Sequence, residues 1–145
     1  MPWPECILSV ALETPCGSLQ MHTTHIPPGV TNDWTKIEML AGVYRELAHP
    51  SVIPRMLCGD FNTPQLELPT GEVMTWGQRI NGSDVAVIRK HIRGGKGVDW
   101  DRGEQQVLQG LASYDLPDVY RKLHGSATPA YSCYPQRKDP TGRPF

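Results

Sequence analysis

The sequence predicts an α/β (α+β) fold in one domain spanning residues 1–145, and three observations carry that prediction. Residues 6–14 and 19–26 are strand-like runs separated by Pro15-Cys16-Gly17-Ser18, the pattern of a β-hairpin. Residues 37–49 then carry apolar side chains at a 3.6-residue period. A short apolar run, Pro54-Arg55-Met56-Leu57-Cys58, follows. Hairpin, helix and strand in that order describe a sheet with a helix laid across one face.

Each element has its own local warrant. On the second strand Leu19, Met21, Thr23 and His25 share a face, which is the expected core face, and His22 points to solvent. Pro27-Pro28-Gly29 ends that strand. Thr31-Asn32-Asp33-Trp34 reads as a helix start with capping side chains. Ile37, Leu40, Ala41, Tyr44, Leu47 and Ala48 form the apolar stripe, and Pro50 closes the helix. Beyond residue 65 the pattern weakens. Residues 73–76 and 84–88 suggest short strands, or for the second the opening of a helix, with a tight turn at Asn81-Gly82-Ser83. Residues 103–112 and 116–124 have helical periodicity, and residues 130–134 form an expected last strand.

Composition excludes several classes. With 14 Lys plus Arg against 15 Asp plus Glu, bulk charge predicts no polyanion partner. No stretch approaches the ~18 consecutive apolar residues of a membrane span, and Met1-Pro2-Trp3-Pro4-Glu5 lacks a signal-peptide pattern. Cys6, Cys16, Cys58 and Cys133 have no C-x-x-C spacing, so buried free thiols in a reducing, cytoplasmic setting are expected.

The chemistry-bearing stretch is Gly59-Asp60-Phe61-Asn62-Thr63-Pro64, at the C-terminal end of the strand that begins near Arg55. Alternation puts Met56, Cys58, Asp60 and Asn62 on one face and Leu57 and Phe61 on the other. A carboxylate and a carboxamide at a strand's C-terminal end occupy the place where α/β proteins hold their ligands. The same residues also make an ordinary Asx-type turn. His25 stands at the matching end of another strand, either as a satisfied histidine or as a phosphate contact. His22 and His25, three apart on a strand, face opposite ways and do not make a metal pair. The one basic cluster is Arg89-Lys90-His91-Ile92-Arg93-Gly94-Gly95-Lys96-Gly97, a solvated loop or a nucleic-acid contact. It lacks the order of a phosphate-binding P-loop, because Gly97 follows Lys96.

Taken together, these elements resemble the endonuclease/exonuclease/phosphatase superfamily, the group of exonuclease III, deoxyribonuclease I and several phosphodiesterases. Gly59-Asp60-Phe61-Asn62 matches its G-D-x-N element, and Thr24-His25-Ile26-Pro27-Pro28-Gly29 is similar to its phosphate-facing strand end. Asp118-Val119-Tyr120-Arg121 is similar to its D-x-[FY]-R helix, and Tyr131-Ser132 to the strand that follows. The resemblance implies part of a four-layer α/β/β/α sandwich, deoxyribonuclease I-like, and hydrolysis of a phosphate ester by activated water with Mg²⁺ or Mn²⁺. It implies that Asp60 orients or deprotonates the water and is a ligand of the metal, and that Asn62 holds a phosphoryl oxygen or the metal. His25 would contact the phosphate, and Arg89, Lys90, Arg93 and Lys96 would be further substrate contacts.

The strand with the family's principal metal-binding Glu and its final Asp-His elements have no counterpart in these residues. The expectation is therefore a central to C-terminal portion of the domain, inactive alone and needing missing segments or another chain to complete the fold. The other expectations from the sequence are a non-catalytic nucleic-acid-binding module and a degenerate remnant of the same fold.

Overall fold

The computed structural model describes residues 7–83, 85–92 and 94–127, with the backbone alone for Val30 and Thr31. Strands β1 (Ile7–Thr14) and β2 (Gly17–His25) form an antiparallel hairpin in which Thr14 pairs with Gly17. Gly17 has φ +116°, a turn conformation that a side chain would strain. The chain then passes a short helical turn, α1 (Gly29–Asn32), and the helix α2 (Thr35–Leu47). It returns as β3 (Arg55–Asp60), parallel to β2, giving a sheet in the order β1-β2-β3. The fold is thus mixed α and β, as the element order predicts.

Two small hairpins follow: β4 (Leu66–Glu67) with β5 (Val73–Met74), and β6 (Gln78–Ile80) with β7 (Ala86–Ile88). The turn between β6 and β7 is held by Asn81, whose Oδ1 accepts from the backbone N–H of Ser83 (2.9 Å) and Val85 (3.0 Å). Helix α3 (Gly97–Leu108) runs into a 3₁₀ turn at Gly110–Tyr114, and α4 (Val119–His124) completes the described chain. Asp118 caps α4 by accepting from Arg121 N at 2.9 Å.

The core lies between the sheet, α2 and α3. Ile26, Ile37, Leu40, Val43 and Leu47 pack with Trp100, Val107 and Leu111, and Ile7, Leu57 and Phe61 reach in from the strands. Gly103 allows α3 to seat on α2, since a Cβ there would lie 2.8 Å from the Ile37 side chain. Arg55 closes the C-terminal end of α2. Its guanidinium donates to the carbonyls of Leu47 (3.1 Å) and His49 (2.9 Å), and to Tyr114 O (2.6 Å). Carbonyls left over at a helix end need such donors.

Several expectations are corrected here. The covered face of β2 carries Gln20, His22, Thr24 and Ile26, not Leu19, Met21, Thr23 and His25; His22 is only 8% exposed and His25 is exposed. Alternation defines two faces without saying which is inside. The β2-α2-β3 crossover decides it, because crossovers of this kind are almost always of one hand. α2 begins at Thr35 behind a left-handed Asp33 (φ 43°), without a side-chain capping bond. α3 starts six residues earlier than its apolar pattern suggests, since Trp100 is a core residue inside it. Cys16 and Cys58 are exposed, not buried. Cys6, Arg93, Cys133, the strand expected at 130–134 and the Tyr131-Ser132 match lie outside the described residues.

The uncovered face of the sheet is apolar. Leu8, Val10 and Leu12 of β1 stand in register with Thr23, Met21 and Leu19 of β2, which meet Cys58 and Met56 of β3. Leu8 is 62% exposed and Met56 49%.

Burial of His22 has a consequence for pH. Its Nδ1 shares a 2.7 Å hydrogen bond with Ser9 Oγ, while Nε2 is enclosed without a partner among the described residues. Desolvation, then the nearby Arg55 charge, lowers its pKa below the ordinary 6.5. The unfolded chain therefore takes up a proton that the folded chain resists. Stability is full above about pH 6.5 and declines as pH falls through that value toward the lowered native pKa. Urea midpoints at pH 7.5 and 5.5 are expected to separate more for the natural chain than for His22→Gln.

Candidate functional site

The ends of β2 and β3 create the site. Parallel pairing sets His25 directly beside Asp60, so both side chains leave the same face of the sheet at its C-terminal edge, and both are exposed. The pairing reaches one residue further as Ile26 N donates to Asp60 O at 2.7 Å. Gly59, just before Asp60, has φ +142°, and a Cβ there would fall 1.9 Å from Thr24 O. The glycine is what lets β3 lie against β2 at this point.

Past Asp60 the alternation stops. Asn62 has φ +49°, so it does not continue the strand face that Asp60 occupies, which corrects the shared-face expectation. Asn62 N donates to Asp60 Oδ1 at 3.0 Å, an Asx-type turn that holds one carboxylate oxygen. Asn62 Nδ2 donates to Ile26 O at 2.9 Å and closes the turn onto the end of β2. One hydrogen of the carboxamide is thereby committed to structure.

Below this turn sits a buried ion pair that sequence reading missed. Lys36 Nζ lies 2.6 Å from Glu104 Oε1, with side-chain exposures of 1% and 0%. The same ammonium donates to Asn62 O at 2.8 Å. Glu104 also accepts from Trp100 Nε1 (3.0 Å) and from the backbone N–H of Trp76 (2.9 Å). Desolvation lowers the pKa of Lys36, against the opposing pull of Glu104 and, more weakly, Asp60. One signal was available: Lys36 falls in line with Leu40, Val43 and Leu47 at i, i+4, i+7 and i+11, on the buried stripe of α2.

The basic cluster is partly built into the fold. Arg89 Nε donates to Gln78 O at 2.8 Å, which commits that guanidinium to the β6–β7 hairpin. Ile92 and Gly95 exchange backbone hydrogen bonds at 3.0 and 2.9 Å, and the ring of Trp34 lies over Gly95, where a Cβ would meet it at 2.2 Å. Lys90 and Lys96 remain exposed, and Lys96 lines an open groove with Trp34, His91 and Asp99. Arg93 lies outside the described residues. Asp118 caps α4, and Arg121 within that helix is ion-paired with Glu67 of β4.

Among the described residues no group of three or more His, Cys, Asp or Glu side chains would hold a metal ion. The donor set at the sheet edge is one exposed carboxylate with an imidazole beside it. Mg²⁺ is commonly held by one or two carboxylates together with substrate phosphates, and Asp60 fits one such position. No helix of the described residues is long and apolar enough to cross a membrane. No protein-family model, curated protein or solved structure matches this chain.

Proposed function

We propose that this chain carries the central part of a divalent-metal-dependent phosphoester hydrolase site, of the phosphodiesterase or endonuclease type. The observation that carries the reading is the register of β2 on β3, which sets His25 beside Asp60 on an exposed sheet edge. Asp60 has one oxygen held by Asn62 N, and the carboxylate is suited to orient a water or accept its proton. His25 faces the same edge as a donor to a phosphate oxygen, and Asn62 offers its remaining amide hydrogen. Mg²⁺ or Mn²⁺, when bound, would supply charge neutralisation for the phosphate, with Asp60 as its ligand from this chain.

The wider fold proposed is the α/β/β/α sandwich. The apolar outer face of β1-β2-β3, with Leu8, Val10, Leu12, Met21 and Met56, is suited to pack against a second sheet. Such a sheet belongs to further segments or to another chain, and the present residues hold the site only in part. Exposed thiols at Cys16 and Cys58 fit a reducing, cytoplasmic setting.

The test follows Mn²⁺ by NMR together with turnover of a generic phosphodiester. Mn²⁺ is expected to broaden the resonances of Asp60 and His25 first, and Asp60→Ala is expected to abolish that selectivity. Turnover by residues 1–145 is expected at background. Broadening that ignores Asp60 and His25 would overturn the reading. A nucleic-acid-binding function is favoured instead only by the exposure of Lys90 and Lys96, and it predicts salt-sensitive binding that survives Asp60→Ala.

A further inference from the structure

Buried ion pairs are weak contributors to stability, because desolvating two charges offsets most of their attraction. The pair Lys36–Glu104 is nonetheless enclosed, and its ammonium has a second partner outside the pair, the carbonyl of Asn62. That carbonyl belongs to the residue whose N–H holds Asp60 Oδ1 and whose side chain holds Ile26 O. Asn62 is also in a left-handed conformation that a non-glycine residue adopts only when its surroundings hold it there. Three bonds fix this single residue, and the charged donor comes from Lys36. On the other side, Glu104 ties the same ammonium to Trp76 N and to Trp100 of α3.

We propose that Lys36, backed by Glu104, is the positioning residue of the Asp60 site: its ammonium pins the Asn62 carbonyl and so sets the turn that aims the Asp60 carboxylate. The pair serves the geometry of the sheet edge and is not a net contributor to the stability of the core. Glu104 keeps Lys36 charged and in place, and through Trp76 N it couples the start of the β6–β7 hairpin to the same turn. This rests on the phosphoester-hydrolase reading of Asp60 for its functional meaning, though not for its structural content.

Two variants separate positioning from ion pairing. Lys36→Met with Glu104→Gln removes both buried charges, and the single amide oxygen accepts from only one of Trp76 N and Trp100 Nε1, which the carboxylate serves with separate oxygens. Glu104→Gln alone removes the ion pair and keeps the ammonium on Asn62 O. Each is compared with the natural chain by urea midpoint, by hydrogen exchange at the amide of Asn62, and by Mn²⁺ titration of the Asp60 resonance. The double variant is expected to have a urea midpoint at or above that of Glu104→Gln, which shares the lost acceptor, to exchange the Asn62 amide about tenfold faster than the natural chain, and to bind Mn²⁺ about tenfold more weakly, as loss of a residue supporting a metal ligand does. Glu104→Gln is expected to lower the urea midpoint, because the Lys36 charge stays buried without its counter-ion, and to exchange the Asn62 amide at a rate between those of the natural chain and the double variant.

A double variant with unchanged Asn62 exchange overturns the proposal, and so does one less stable than Glu104→Gln, since Lys36 would then be a stability element. If the natural chain shows no Mn²⁺ effect at Asp60, the hydrolase reading fails. The exchange measurement at Asn62 still decides the positioning role.

Discussion

Gly59→Ala is expected to leave little folded protein, with a loss of at least about 3 kcal/mol in stability. Two effects add at this position. The backbone sits at φ +142°, a region closed to L side chains, and the new methyl would lie 1.9 Å from Thr24 O. That oxygen belongs to the neighbouring strand, at the pair Thr24–Gly59, and it cannot move without breaking the β2–β3 ladder. Gly17→Ala is the control. Gly17 also has positive φ (+116°), but a methyl there would meet nothing within 4 Å, so backbone strain alone applies. Its expected loss is about 1 kcal/mol. Urea denaturation followed by circular dichroism gives both values. Similar midpoints for the two variants would mean that the close approach of β3 to β2 is not what Gly59 provides.

The second large effect is expected at Glu104. Glu104→Leu leaves the Lys36 ammonium enclosed without its counter-ion and removes the acceptor of Trp76 N and Trp100 Nε1. Breaking one side of a buried ion pair costs about 3–5 kcal/mol, because a charge stays buried uncompensated. The neutral double variant, Lys36→Met with Glu104→Gln, removes that penalty. The comparison is made by thermal or urea unfolding followed by circular dichroism. A Glu104→Leu midpoint equal to that of the natural chain would mean that Lys36 sheds its proton or reaches water.

Both expectations concern residues that give the candidate site its shape without touching a ligand. Gly59 brings the strands together so that His25 and Asp60 stand side by side, and Lys36 supports the turn from beneath. The apolar outer face of the sheet lies alongside the same edge. Whatever covers it also bounds the site, which is why the proposed second sheet and the proposed chemistry belong to one reading.

The order of elements was legible in the sequence because it depends on local signals. The turn at Pro15-Cys16-Gly17, the apolar period through α2 and the run ahead of Gly59 each declare themselves within a dozen residues. So did the strand-end placement of His25 and Asp60, since alternation and a following turn are local facts. The inward face of β2 was not legible. Leu19 and Met21 look more like core than Gln20 and His22, and only the path of α2 across the sheet reverses that choice. Asn62 misled for a related reason: alternation holds along a strand, and the chain leaves its strand at Asp60. Lys36 and Glu104 lie far apart in sequence, one on α2 and the other on α3. Nothing local pairs a lysine on one helix with a glutamate on another. Local signals were enough for the elements and for the chemical groups at the sheet edge; packing of α2 against α3 decided which charges are buried and what holds Asp60 in place.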